Sequence, residues 1–323
     1  MTWFTRRGLE LVPDDLLGWD RWLDEMKEAQ LNLLIIHVSR NMSDLMEYAQ
    51  TEHFAALARQ AERYGIEIEW APHALKELLP RQHFADHPEW FRMNTAGLRT
   101  PDYNMCSSSQ DALAEVRTNA ARVATLLKPT TDRYYLWSDD GRPWCECPAC
   151  APLNQADQSM RFTNAVLEGL RAVVPHAKLS GLAYHNTLEP LETVQPAAGI
   201  FLEYAPIRRS FHFALTDPGS AINRGEYRKL QAILPNAWAG EGSQVLEYWL
   251  DESLFWRSAE RPERLPKLPF FPEVLARDLQ TYADLGFRSV VSYAVMLGKE
   301  YREQHGRPPI QEYGEALIKA RPA

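Results

Sequence analysis

Short apolar runs alternate with longer amphipathic stretches along the whole chain. The runs at 8–13 (GLELVP), 31–38 (LNLLIIHV), 66–71 (IEIEWA), 132–140 (DRYYLWSDD), 178–184 (KLSGLAY), 200–204 (IFLEY), 244–249 (QVLEYW) and 287–296 (FRSVVSYAVM) read as strands. Their near-continuous apolar character, clearest in LNLLIIHV, suits a parallel sheet covered on both faces. Apolar positions at helical spacing predict helices over 16–30, 43–64, 109–127, 157–174, 221–234, 271–285 and 310–319. Asp15 is placed to cap the first, and Gly65 to stop the second. The return after the fifth strand is weakly helical, because TLEPLETVQP carries two prolines.

Eight such alternations without a composition break predict one (β/α)8 TIM-type barrel over residues 1–323. A loop insertion follows strand three and a cysteine hairpin follows strand four. A doubly wound open sheet is the competing architecture, but no strand leads into a Gly-rich phosphate loop.

In a barrel of this kind the chemistry gathers at the C-terminal strand ends. Strand by strand, those ends carry Glu10 and Asp14; His37 and Arg40; Trp70 and His73; Trp137, Asp139 and Asp140; Tyr184 and His185; Glu203, Tyr204, Arg208 and Arg209; Glu247, Tyr248, Trp249 and Asp251; Ser292 and Tyr293. A full ring of acids, histidines and aromatics predicts a pocket. Adjacent Asp139 and Asp140 are costly to keep close unless they face water, a partner or a ligand; a solvated Asp-Gly turn is the plainer explanation. Asp140 is the leading candidate for general acid or base, with Asp139 beside it, and Glu203, Glu247 and Asp14 compete for the second role. Candidate substrate contacts are His37, His73, Trp137, Tyr184, His185, Tyr204, Arg208, Arg209, Trp249 and Tyr293. The tandem arginines suit a sugar carboxylate, since guanidinium forks match carboxylates; bridging loop acids is their structural alternative. His37, His73 and His185 lie on three strand ends, which raises a metal-hydrolase barrel, but strand one has no His-x-His pair.

The net charge of −8 counts against a nucleic-acid surface. No run approaches the ~20 apolar residues of a membrane span, and the first residues lack the apolar core of a signal peptide. A cytoplasmic protein is therefore expected, with a carbohydrate as partner and room for a homo-oligomer. The ten tryptophans and thirteen tyrosines suit either an aromatic core or a sugar-stacking pocket. Three of the four cysteines form C-x-C-x-x-C at Cys145, Cys147 and Cys150, and the fourth is Cys106 in the insertion. Neighbouring loops would bring the four together as a closed structural zinc site. A disulfide or buried free thiols are the rivals. No cofactor is expected for catalysis.

With HPEWF (87–91), MCSSS (105–109), SDDGRPWCECPAC (138–150), LAYHNT (182–187), YAPIRR (204–209) and FHFAL (211–215), the chain resembles a bacterial family of unknown function. Its members are treated as glycoside-hydrolase-like barrels akin to α-glucuronidases and β-hexosaminidases. The resemblance implies a retained barrel and carbohydrate hydrolysis. In hexosaminidase-type barrels an Asp-Glu pair ends strand four; here Asp139-Asp140 stands at the similar place, with a shorter acid second. The glucuronidase plan would join Asp140 to Glu203 or Glu247. A sialidase-like plan would use Asp14, His185, Arg208 and Arg209. The expected function is an exo-acting glycoside hydrolase on a uronic, sialic or N-acetylhexosamine substrate. A non-catalytic carbohydrate-binding barrel is the alternative, and a metal-dependent hydrolase or isomerase the third.

Overall fold

The structure, a computed structural model, describes residues 2–236, 238–240, 242–255 and 264–323. Eight strands form one parallel sheet: β1 (Arg6–Leu11), β2 (Leu33–Ile36), β3 (Glu67–Trp70), β4 (Arg133–Tyr134), β5 (Lys178–Tyr184), β6 (Ile200–Ala205), β7 (Gln244–Glu247) and β8 (Ser289–Tyr293). Their order is β3-β2-β1-β8-β7-β6-β5-β4. The two outer strands then turn toward each other. His73 and Trp137, just beyond β3 and β4, form a parallel bridge. Trp137 N donates to Pro72 O at 3.0 Å, and Ala74 N donates to Trp137 O at 2.8 Å. This bridge brings the sheet to a nearly closed (β/α)8 barrel of the TIM type, which leaves little edge for foreign pairing.

Four elements differ from a plain strand-and-helix alternation. The fourth strand keeps its ladder to β5 only at Arg133 and Tyr134; from there its backbone is drawn to the stretch after β3. The helix expected at 43–64 is two helices, Met42–Tyr48 and Glu52–Tyr64. Thr51 divides them because its hydroxyl accepts from Phe54 N and so starts the second. The expected 16–30 helix likewise divides, into Pro13–Gly18 and Trp22–Glu28. The return after β5 holds a single turn, His185–Thr187, and then an irregular path. Fully buried Asp157 anchors that path by accepting from Thr193 N and Val194 N at 3.1 and 2.9 Å. Backbone donors that a helix would have satisfied are met there by one carboxylate.

The barrel interior below the mouth is polar and tightly bonded. Arg6 and the Tyr135 hydroxyl both bond Glu69, and Tyr135 also reaches Gln244. Gln244 in turn donates to Glu203 and accepts from Ser289. A buried network in which Glu69, Glu203 and Gln244 all find hydrogen-bond partners rigidifies the scaffold on which the strand ends sit. Among the described residues, no helix is long and apolar enough to cross a membrane.

Candidate active site

Side chains alternate across a strand, so one known inward residue fixes the rest. Gln244 points into the barrel, where it meets Glu203. Tyr248, four residues on, therefore faces the mouth, while Glu247 and Trp249 face the helices. Arg209 donates to Glu247 at 2.6 Å and also bonds Asp278 of the helix Pro272–Asp284. The Tyr282 hydroxyl donates to Glu247, and the Trp249 indole donates to Asp278 at 3.1 Å. Tyr204 is outward on β6, with its hydroxyl on Glu226 O at 3.3 Å. The expectation that Glu247, Tyr204, Arg209 and Trp249 line the mouth is corrected: they belong to the packing between barrel and helices.

Two other acids are also engaged elsewhere. Glu203 faces inward but lies in the polar network under the mouth, where Ser180 Oγ and Gln244 Nε2 each donate to one of its oxygens. Burial raises its pKa to about 7. Asp139 turns toward the insertion and accepts from Arg81 and from Asn104 N.

The mouth itself is aromatic and histidine-rich. Trp137 is buried, and its indole donates to Ser180 Oγ at 3.0 Å. That bond links the mouth to Glu203 below. The rings of His37 and His73 lie 5.7 and 5.3 Å from Trp137, and Tyr293 lies 5.6 Å from His37. Tyr248 is 6.0 Å from Tyr293. His37 Nδ1 donates to Ala71 O, and His73 Nδ1 donates to Ser138 O at 2.6 Å. A carbonyl can only accept, so both imidazoles are fixed with Nδ1 protonated. Burial holds the His37 pKa down to about 3, and the ring is neutral at physiological pH.

Three carboxyl groups reach this mouth. Asp140, on the rim, is 62% exposed at its side chain and lies 3.9 Å from His73 Nε2. Burial pushes the Tyr184 pKa up, and the nearby charges of Asp140 and then Asp251 raise it further. Asp251 is buried and bonded to Ser253, yet burial outweighs those bonds and pushes its carboxyl up to about 7. Glu10 is buried with Oε1 3.5 Å from His37 Nδ1, and its Oε2 has no hydrogen-bond partner among the described residues. Burial first, and Glu203 second, hold its pKa well above the usual carboxylate range.

Ser253 and Tyr293 also line a cavity of about 690 Å³ at this end of the barrel, together with Asp14, Ser39, Lys299 and Glu300. Across the rim, Arg208 donates to His185 Nδ1 at 2.8 Å. Burial, and then Arg208, lower the His185 pKa. Gly141 adopts φ +57°, and a Cβ there would meet the His185 ring at 3.3 Å. The residue after Asp140 is thus a glycine for two reasons: its conformation and the imidazole packed on it.

Glu10, Tyr248 and Asp251 stand among the strand ends read from sequence but were not singled out there. The period-two phase of β7 and β8, once anchored on Gln244 and Ser289, is the signal that identifies Tyr248 and Tyr293 as inward. Among the described residues, the only set of His, Cys, Asp or Glu ligand atoms that converges as a metal site is the cysteine quartet. His37, His73 and His185 do not converge.

Among solved structures the chain is similar to the GH42 β-galactosidase Gan42B of G. stearothermophilus, with 15% identity, a TM-score of 0.57, and coverage of 99% of this chain and 57% of that one. It is similar to an endo-β-1,4-glucanase of family GH5 from Bacillus licheniformis (10% identity, TM-score 0.55, 98% and 60% coverage). It is also similar to an O-GlcNAc hydrolase from Thermobaculum terrenum (12% identity, TM-score 0.54, 98% and 59% coverage). At these identities the likeness is one of fold, and the chain spans less than two thirds of each of these proteins. No curated protein sequence matches it. Residues 30–307 match the family model described as Domain of unknown function (DUF4838), and with most of its length inside that match the chain belongs to this family.

Proposed function

We propose that this barrel is a glycoside hydrolase, with Asp140 and Asp251 as the working carboxyl pair. The observation that carries the proposal is the rim position of Asp140, 3.9 Å from His73 Nε2, with Tyr184 nearby: burial raises the Tyr184 pKa, and the charges of Asp140 and Asp251 raise it further. Two acids beside one tyrosine, at a mouth walled by Trp137, Tyr248 and Tyr293, supply what glycosidic cleavage requires. Asp251, whose pKa lies near 7, keeps its proton over much of the neutral range and acts as general acid to the leaving oxygen. Asp140 attacks the anomeric carbon or activates water. Glu10 and neutral His37 form the floor and hydrogen-bond sugar hydroxyls, and Trp137 offers a face for the C–H side of a pyranose.

The glycosidase names borne by the similar barrels support this class of reaction. Substrate choice rests on narrower grounds. Arg208, exposed on the rim, suits the carboxylate of a uronic or sialic acid. Asp139, already bonded to Arg81 and Asn104, is poorly placed for the acetamido-orienting role of a hexosaminidase pair. An exo-acting enzyme for an acidic sugar is therefore the favoured form.

A panel of aryl glycosides, including glucuronides, sialosides, N-acetylhexosaminides and galactosides, tests the proposal. Asp140→Asn is expected to cut turnover of the best substrate by about 10²–10⁴-fold, with the thermal midpoint little changed. Full activity in that variant would overturn the assignment of Asp140. Sugar binding without hydrolysis of any panel member would recast the barrel as a binding protein.

A further inference from the structure

We propose that Cys106, Cys145, Cys147 and Cys150 form a closed, tetrahedral zinc site whose task is to hold the Asp140 loop against the insertion after β3. All four thiols are buried, and their sulfur atoms lie within 4.8 Å of one another. Cys106 Sγ is 3.7 Å from Cys147 Sγ and 3.8 Å from Cys150 Sγ. Four sulfurs placed tetrahedrally at the Zn–S distance of about 2.3 Å are separated by about 3.8 Å. A disulfide would need about 2.05 Å, and all four cysteines are free.

The surroundings suit thiolates rather than apolar thiols. The quartet forms its own cluster apart from the main core, and Met93 is the partly buried hydrophobic residue packed on it. Met93 N donates to Cys145 Sγ at 3.2 Å, and Arg99 Nη1 lies 3.5 Å from the same sulfur. The hydroxyls of Ser107 and Ser108 lie 3.5 and 3.2 Å from Cys150 Sγ. Four thiolates on a divalent zinc carry a net charge of −2, which the Met93 N–H and the Arg99 guanidinium offset. On binding, the thiols release their protons to solvent and each sulfur donates an electron pair to zinc, with no change of oxidation state. With every ligand from protein, the site has no open position for catalysis.

Its place in the fold gives it a purpose. Cys106 belongs to the insertion, and the other three belong to the hairpin that begins directly after Asp140. Two residues before Cys106, Asn104 bonds Asp139 and donates to the carbonyls of Arg142 and Pro143 at 2.8 and 3.0 Å. On the hairpin side, Gln158 of the helix Gln155–Arg171 pairs with the Cys145 backbone in both directions. The metal closes a ring of contacts around the Asp139–Asp140 turn. The claim that this positions a working carboxylate rests on the hydrolase proposal; the claim of a zinc site does not.

Metal analysis of the purified, folded protein provides the test. One zinc per chain is expected, and Cys147→Ser should lose most of it. Cobalt exchanged into the site should give the intense visible bands of a tetrahedral tetrathiolate centre. Stripping the metal should lower the thermal midpoint and open residues 93–153 to limited proteolysis before the rest of the barrel. Folded protein free of metal with four freely titrating thiols would overturn the site, as would iron in place of zinc. Metal present with unchanged proteolysis on its removal would overturn the positioning role. These readouts need no substrate, so failure of the hydrolase proposal would leave them standing.

Discussion

Asn104 and Asp139 exchange hydrogen bonds: Asn104 N donates to Asp139 Oδ2 at 2.6 Å, and Asp139 N donates to the Asn104 side-chain oxygen at 3.1 Å. Asn104 adopts φ +44°, a left-handed conformation that asparagine tolerates better than most residues. Arg81 joins the pair through Asp139. The acid adjacent to Asp140 is thereby a fastener of the loop, and the strand end is built before any substrate arrives. Asp139→Ala would leave the Arg81 guanidinium and the Asn104 N–H without their acceptor, at a cost of about 2 kcal/mol. Urea denaturation measures this loss. Asp139→Asn retains an acceptor and should cost less; equal stability of both variants with wild type would refute the clamp.

The pH dependence of hydrolysis follows from Asp251. Its carboxyl is pushed up to about 7, chiefly by burial. As general acid it must hold its proton, so kcat/KM should fall as pH rises through about 7, and Asp251→Asn should remove this limb with most of the turnover. Stability moves in the same direction. The folded-state pKa exceeds the unfolded value near 3.9, so this group's contribution is fully present below about pH 4 and is lost as pH rises through about 7. Asp251→Asn, neutral throughout, should flatten that part of the urea-midpoint profile. An unchanged profile would show that Asp251 does not titrate in this window.

The adjacent arginines should behave in opposite ways. Arg209 has no exposed side-chain surface and bridges Glu247 and Asp278, which are equally buried. Arg209→Ala leaves two acids without their cation and should destabilise the fold by about 3–5 kcal/mol. Arg208 is exposed on the rim, so Arg208→Ala should leave the thermal midpoint nearly unchanged while raising KM for an acidic sugar and not for a neutral one. A stable Arg209→Ala protein would remove the distinction.

Much of the architecture was legible from local pattern. LNLLIIHV and KLSGLAY read directly as strands because a buried parallel strand is apolar along its length. The two prolines in 187–196 rightly weakened the fifth return helix. The splits at Thr51 and near Gly18 were harder, since a helix period continues across a single capping residue and the break is set by tertiary packing.

The site divides along the same line. Sequence alone determined which residues stand at strand ends, because strand length and turn position are local properties. It also marked the C-x-C-x-x-C spacing and the acids before it. Only the tertiary structure decided which of those residues face the mouth. A one-residue change of phase exchanges inside for outside, and that phase is fixed by closure of the barrel and by cross-strand bonds such as Gln244 to Glu203. Glu247, Trp249 and Tyr204 fell to the helix side by this parity, and Arg209, beyond the end of β6, is held there by Glu247 and Asp278, while Tyr248 and Tyr293 face inward. Cys106 meets the hairpin cysteines for a similar reason: the chain returns through a full helix and strand before the two loops touch, and no local pattern encodes that distance.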